Sequence, residues 1–597
     1  MQTRYIKGRW LGHKVKVMLL GLILVFWGSS ASTQQVLNPQ IQVGIVQRFG
    51  QNMTDKLTLE SVSDAPLELR FQTQGQWQTL KAQKVQFEIM AQPLSPPRVE
   101  ERVVLSTHRS FESAETMANR FRAMGIAVEI AQPQQWEVWA KRQNFQDVEQ
   151  RALLISHLRS QGHNTAYVAQ RTLQQQPQLS WVLGNYRFNR NQVQIRAPQG
   201  QLRVNQDLYA GNFQFQPNAY GTYTLVNQVP IETYLRGVVP HEIGYNAPET
   251  AIQAQAIIAR TYALRNLRRF EIDNYQLCAD TQCQVYKGLN GTDPIVDRAI
   301  AATAGQVLTY RNELVDTLYS STTGGVTAAF EDVWEGESRP YLKSVIDAVP
   351  NQVWDLANRP LSDETNFRQF INLRQGFNEE TWRHFRWQNE ASLTELNQNF
   401  RQLLEREKNP LASFQTIERL NVVERAPGGR VQRLRVTTDL GAKDLTKDEI
   451  LRAFAAPNSL LFYIEPRFEA NAQVSDRSKL KGYSFVGGGL GHGVGLSQTG
   501  SYRLSNIGWS AAQILNFYYS GTTLQPLTSS VVYWREPTAS SPEPQVLFQP
   551  QPAQRTPGTT LFGLRLPWNL REWFSWLPFG KSKPQSALWL SEPFAPL

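Results

Sequence analysis

The chain has 597 residues, 41% of them apolar, and a formal net charge of +10. That is core-forming material for roughly three or four domains. Much of the charge sits at the start: Arg4, Lys7, Arg9, Lys14 and Lys16 precede an apolar run from Val17 to Trp27 and the small residues Gly28-Ser29-Ser30-Ala31. This is the pattern of an export signal, and the run is short against the ~20 residues of a membrane span. Residues 1–31 are therefore expected to be a cleaved signal or an N-terminal anchor, which puts the protein in the periplasm or cell envelope. Without those five cations the net charge falls to about +5, which makes no electrostatic case for nucleic acid.

Residues 38–95 alternate in short runs (IQVGIV, LELRF, WQTL, VQFEIM) and predict a β-rich region, with Pro96-Pro97 as a boundary. From 99 to 172 the order strand, helix, glycine, strand occurs twice, in ERVVLS, FESAETMANRFRAMG, IAVEIA and again in WEVWAK, FQDVEQRALLISHLRSQG, NTAYVA. That βαββαβ order predicts a four-stranded sheet backed by two helices. Short strands resume from Trp181 to Tyr234, inside a region spanning 178–527.

The stretch from Val238 to Phe270 is the first chemical centre. Asn246, Pro248 and Glu249 form a capping-box pattern before a helix in which Ile252, Ala256, Ala259, Ala263 and Leu267 recur on one face. Small residues there predict a buried helix, with Arg265, Arg268 and Arg269 in its last turn. Glu242, bordered by Pro240 and Ile243, reads either as a solvated loop carboxylate or as a general acid whose pKa is raised by desolvation.

Cys278 and Cys283 are the two cysteines of the chain; they are read as a local disulfide or free thiols, with zinc, completed by His241 and His492, as the competing reading. Otherwise no cofactor is expected. Ser320 to Thr327 reads as a tight turn, and without a G-x-S-x-G elbow its serines have no hydrolase context. Trp387 is read as a core residue or a sugar platform. The block from Gly487 to Gln498 is the second centre. It lacks the Gly-Lys-Ser/Thr end and the G-x-G-x-x-G spacing of phosphate loops. Its glycines, Gly491 and Gly493 among them, would let backbone approach a ligand, and His492, Ser497 and Gln498 have the chemistry to bond sugar hydroxyls and acetamido groups. A structural histidine is the alternative for His492. Residues 535–560 are a Pro-rich linker, and the Trp-rich tail, 561–597, would either meet a membrane surface or dock on the main domain.

The runs PIETYLRGVVPHEI, PETAIQAQAIIARTYAL and FVGGGLGHGVGLSQTGSYRLSNIGWSAAQILNFYYSGTTL resemble the signatures of the SpoIID/LytB family. The 99–172 unit is similar in pattern to the SPOR domain, whose family binds peptidoglycan strands stripped of stem peptides; a ferredoxin-like spacer is the other reading. The expected fold class is α+β, a SpoIID-like mixed core with an inserted βαββαβ (SPOR/ferredoxin-like) domain. The resemblance implies a lytic transglycosylase with Glu242 as acid and base, and with His492, Gln498 and Arg260 positioning the glycan. It also implies that the CQVYxG element, with Gln284 and Tyr286, and the loop with Gly324 and Gly325 line the cleft. Family members with His241 replaced by serine are common, so an imidazole beside the glutamate is a departure that bears on its pKa. LytB members imply a rival, a non-catalytic glycan-binding activator of a cell-wall amidase. A structural envelope protein held by its tail is the third reading.

Overall fold

In the computed structural model, residues 37–349, 353–407, 409–469 and 479–535 are described; the expected signal, Pro-rich linker and Trp-rich tail lie outside them. The chain begins with β1 (Gln40–Phe49), β2 (Lys56–Ser61), β3 (Leu67–Thr73), β4 (Gln76–Ala82) and the 25-residue β5 (Lys84–His108). There follow α1 (Phe111–Ala123), β6 (Val128–Ala131), β7 (Trp136–Ala140), α2 (Val148–Ser160), β8 (Tyr167–Leu183) and β9 (Tyr186–Asn189). Next come β10 (Val193–Val204), β11 (Asp207–Pro217) and β12 (Tyr223–Pro230). All these strands join one sheet, in which β5, β6, β7 and β8 stand in the order β8-β5-β7-β6, each neighbour antiparallel. The class is α+β.

The sheet does not break at Pro96-Pro97. Strand β5 runs through that dipeptide beside β8, with an irregularity in register between Pro93 and Arg98. Pro lacks the N–H that a ladder needs, so the pairing skips there and resumes. Strand β5 therefore pairs with β2 through its first residues and with β7 through its last, and the βαββαβ unit grows out of the preceding sheet.

Beyond β12 the chain turns into α3 (Ile231–Arg236), α4 (Val239–Ile243) and α5 (Glu249–Arg265). From Ala254 to Arg265 every residue of α5 is buried, as its small side chains predict. Helices α3 and α4, the strand Gln306–Tyr310 and the later helices Gln498–Asn506 and Ala511–Tyr518 all pack on it. Its start corrects the capping expectation: Pro248 occupies the cap position without a side-chain cap bond, and Ala251 and Ile252 donate to the Pro248 carbonyl. Asn246 lies two residues too early, because the proline conformation (φ −61°, ψ 145°) sets where the helix begins.

The basic end of α5 also differs from expectation. The helix stops at Arg265, and Arg268 and Arg269 lie beyond it, paired with α1. Arg268 holds Glu115 in two bonds at 2.5 and 2.7 Å, and Arg269, 3% exposed, holds Glu112. These pairs tie the βαββαβ unit to the helical core. Breaking a buried pair by removing one partner costs roughly 3–5 kcal/mol, since the other charge is stranded. Arg269→Ala is accordingly expected to lower unfolding stability by about 3 kcal/mol, and more than Arg268→Ala does, in urea denaturation. A loss under about 0.5 kcal/mol, the range of an exposed pair, would contradict this role.

Candidate active site

Glu242 sits near the end of α4, a helix of five residues in which Val239, Pro240 and Ile243 are buried. Those three anchor the turn and leave Glu242 partly exposed. Its Oε1 accepts the Val285 N–H at 2.7 Å, and the Tyr319 hydroxyl also bonds the carboxyl. Burial raises the Glu242 pKa above the usual carboxylate range, and the two hydrogen bonds offset only part of that. The carboxyl is thus biased toward its protonated form while keeping two groups that stabilise the ionised one.

Val285 reaches Glu242 because its segment is pinned on both sides. Cys278 and Cys283 form a disulfide, so their sulfurs are joined to each other and offer no thiolates to zinc. Cys278 belongs to a short strand, Leu277–Cys278, parallel to β1. On the other side, Gly237 lies so close to the Gly288 carbonyl that a Cβ would come within 2.0 Å of it. Only glycine permits that approach. Gln284 is buried between two tyrosines: it accepts from the Tyr234 hydroxyl at 3.3 Å and donates to the Tyr319 hydroxyl at 3.2 Å. Tyr286 is buried too, bonded to Asn227 at 2.8 Å. Gln284 and Tyr286 therefore hold the wall of the site and are not open to a ligand.

The second centre comes back to the same place. Tyr319 and Ser320 pair in parallel with Leu496 and Ser497, which brings the glycine block beside Tyr319. Gln498 donates to the Glu242 backbone carbonyl at 2.9 Å. His492 accepts the Val494 N–H on Nδ1 at 3.0 Å and hydrogen-bonds the Tyr319 backbone. Burial, with the charge of Arg430 adding to it, lowers the His492 pKa to about 4. At neutral pH it is an uncharged brace under Tyr319. His241, next to Glu242 in sequence, points to the Asn290 carbonyl at 2.9 Å and is not among the groups that shift the carboxyl.

Several residues expected to touch substrate are placed inside the fold. Arg260 is fully buried, its guanidinium on both oxygens of Glu232 at 2.7 Å and on the Gln306 carbonyl at 3.0 Å. Ser497 caps the helix Gln498–Asn506 and donates to Glu379. The amides of Gly488, Gly489, Leu490 and Gly491 are taken by protein carbonyls; Gly487, Gly488 and Gly489 are buried against neighbouring backbone, whereas Gly491 is exposed. A Cβ on Gly324 would lie 2.6 Å from the carbonyl carbon of Gly488, Gly325 abuts Phe377, and Gly493 abuts Arg430. Trp387 is buried, its indole donating to Gly489 at 2.8 Å.

Sequence reasoning missed Tyr319 and the Val285 amide, which contact the carboxyl, and a buried acidic node behind them. Glu379 accepts from the Thr323 N–H (2.6 Å), the Gly325 N–H (2.8 Å), the Thr323 hydroxyl and Ser497. Beside it Asp347 is bonded to Asn378 at 2.8 Å and Tyr518 at 2.9 Å, and burial next to Glu379 raises its pKa well above normal. The available signal was Asp347, a single carboxylate in the run SVIDAV; Glu379, between Asn378 and Glu380 in GFNEETW, carried none. Among the described residues no group of three His, Cys, Asp or Glu could hold a metal ion.

Residues 219–310 match the model of the stage II sporulation protein family (SpoIID), and residues 328–495 match a domain of unknown function, DUF8618. An uncharacterized protein of Brachyspira hyodysenteriae is 27% identical over 323 residues, covering 53% of this chain and 72% of that one. The amidase enhancer of Bacillus subtilis is 28% identical over 303 residues, 49% of this chain and 40% of its own length. Stage II sporulation protein D of Bacillus amyloliquefaciens is 26% identical over 325 residues, 51% of this chain and 76% of the relative. Glu242 lies inside the matched region and these alignments span about half of the chain, so the comparisons support a relation to the SpoIID/LytB family.

Proposed function

We propose that this protein is an exported peptidoglycan lytic transglycosylase that cleaves between N-acetylmuramic acid and N-acetylglucosamine in strands lacking stem peptides. The observation that carries the reading is the Glu242 carboxyl: partly exposed, raised in pKa by burial, and held by Val285 and Tyr319. Ordinary glycoside hydrolysis needs two carboxyl groups. Muramic acid supplies its own nucleophile, the C6 hydroxyl, at high effective concentration. Protonated Glu242 donates its proton to the glycosidic oxygen as the C1–O bond breaks. The C6 oxygen then bonds C1, and its proton returns to the Glu242 carboxylate, leaving a 1,6-anhydro end. The Tyr319 hydroxyl and Val285 amide hold the carboxylate during the interval in which it is charged. The similarity to an amidase enhancer supports a second reading, in which the same site binds glycan and activates a cell-wall amidase without cleaving.

Amidase-stripped glycan strands incubated with the protein are expected to yield anhydro-ended fragments by mass spectrometry, with Glu242→Gln slower on the order of a hundred- to ten-thousand-fold. Equal yields would remove the proton transfer from Glu242. No fragments from either, with a partner amidase accelerated equally by both, would favour the activator.

The pH dependence has a fixed sign. Because the folded-state pKa of Glu242 is raised, kcat/KM is expected to fall as pH rises through that raised value and the acid ionises. For stability, the carboxyl contributes fully below its unfolded pKa and the contribution is lost as pH rises through the folded one. Glu242→Gln should therefore melt at a higher temperature than the wild type at about pH 8 and show a smaller difference at about pH 4. A variant less stable at both would mean that the ionised carboxylate holds the fold.

A further inference from the structure

The face of the first sheet opposite the core carries a groove of about 560 Å³ on β3, β4, β10, β11 and β12. Side chains alternate along these strands, so the core takes Leu69, Ile195 and Phe213 while their neighbours point outward. Two cross-strand rows result. Thr79, Arg70, Gln194 and Gln214 lie opposite one another in one, and Glu68, Arg196, Asn212 and Gln228 in the next. Beside them, at the edge of the sheet, Trp77 is 48% exposed with the Arg70 guanidinium 4.4 Å from its ring.

We propose that this groove binds a glycan chain that bears carboxylate groups. Side-chain amides both donate and accept, which suits a ligand dense in hydroxyls and acetamido groups. The strand spacing of about 4.8 Å sets consecutive amides across a row at intervals comparable with one pyranose ring. The exposed indole offers a flat apolar face for the C–H side of a sugar. Neither Arg70 nor Arg196 forms an ion pair with any described residue, whereas Glu68 is paired with Lys81 at 3.9 Å. Both guanidiniums, Arg70's resting against Trp77, lack a carboxylate partner among the described residues, and planar carboxylates match them in a fork. Two cations beside a glutamate are too thin a footprint for nucleic acid. A peptide strand would add to the open edge of β4, not lie across the face. The volume falls within the roughly 300–1,000 Å³ of ligand sites. The groove shares no residue with the Glu242 site, so the inference stands apart from the chemistry proposed there.

The test is calorimetric titration of the full chain, in a Glu242→Gln background so that no cleavage intervenes. The probes are stem-peptide-free strands of alternating N-acetylglucosamine and N-acetylmuramic acid and, for comparison, N-acetylglucosamine oligomers of equal length. Tighter binding of the carboxylated strand is expected, weakened roughly tenfold by Arg196→Ala or Trp77→Ala, with Arg196→Lys recovering part of it. The two variants are on different strands and exposed; melting curves accompany both, and if one fails to fold the other carries the test. Equal affinity for the two probes, or unchanged binding in a folded variant, would overturn the proposal.

Discussion

Helix α5 is buried on nearly every side, and the site depends on that burial. Ala254, Ala256, Ala259 and Ala263 are small enough for neighbouring backbones to approach, so α4 and the two C-terminal helices share one support. A helix without a solvent face has no water to satisfy its polar side chains, and each must find a partner inside. Arg260 finds Glu232. Thr261 donates to the Ile257 carbonyl at 2.8 Å and accepts the Leu308 N–H at 3.1 Å. Those bonds fix where the strand Gln306–Tyr310 lies, and Thr317, bonded to the Ile258 carbonyl at 2.8 Å, fixes the approach of the chain to Tyr319.

Two glutamates, Glu379 and Glu242, differ in their donors and in their access to solvent. Glu379 has four donors, two of them backbone amides in a glycine-containing turn, and its acceptor capacity is largely used. Glu242 has two donors and an opening to solvent, so burial dominates and its proton affinity rises. Asp347 resembles Glu242 in the direction of its shift, but it is sealed in and touches Tyr518 and Asn378 instead of solvent. A raised pKa alone would not distinguish them; access does.

What the sequence made legible was local. The α+β class and the buried helix follow from periodicity and small residues; the residues around Glu242 alone left a solvated loop carboxylate open, and the resemblance singled it out. The capping pattern at Asn246 misled because proline geometry outweighed a side-chain bond. Arg268 and Arg269 were read against the nearest dipole, whereas their partners Glu112 and Glu115 are about 150 residues away in the chain. The glycine block was read as open to ligand, because glycine spacing announces close approach without saying to what. Here the partner is the Thr322–Gly325 backbone. Tyr319 carried no signal, since a tyrosine acquires its meaning only from the carboxylate that folding brings to it.

The match to a domain of unknown function, 328–495, lies in sequence between Tyr319 and Gln498, the residues that support Glu242 from either side. A segment of that length inserted into a site must return the chain to its register, and loop closure alone gives no such accuracy. Glu379, from within the segment, bonds Thr323 and Gly325 just past Tyr319 and Ser497 just before Gln498. One carboxylate therefore clasps both ends of the insertion, and the parallel pairing of Tyr319–Ser320 with Leu496–Ser497 closes beside it. The segment is thus part of what places the acid and not an appendage to it. Its Glu379 holds the backbone just past Tyr319 and the residue just before Gln498, although it lies outside the stretch that the SpoIID model matches.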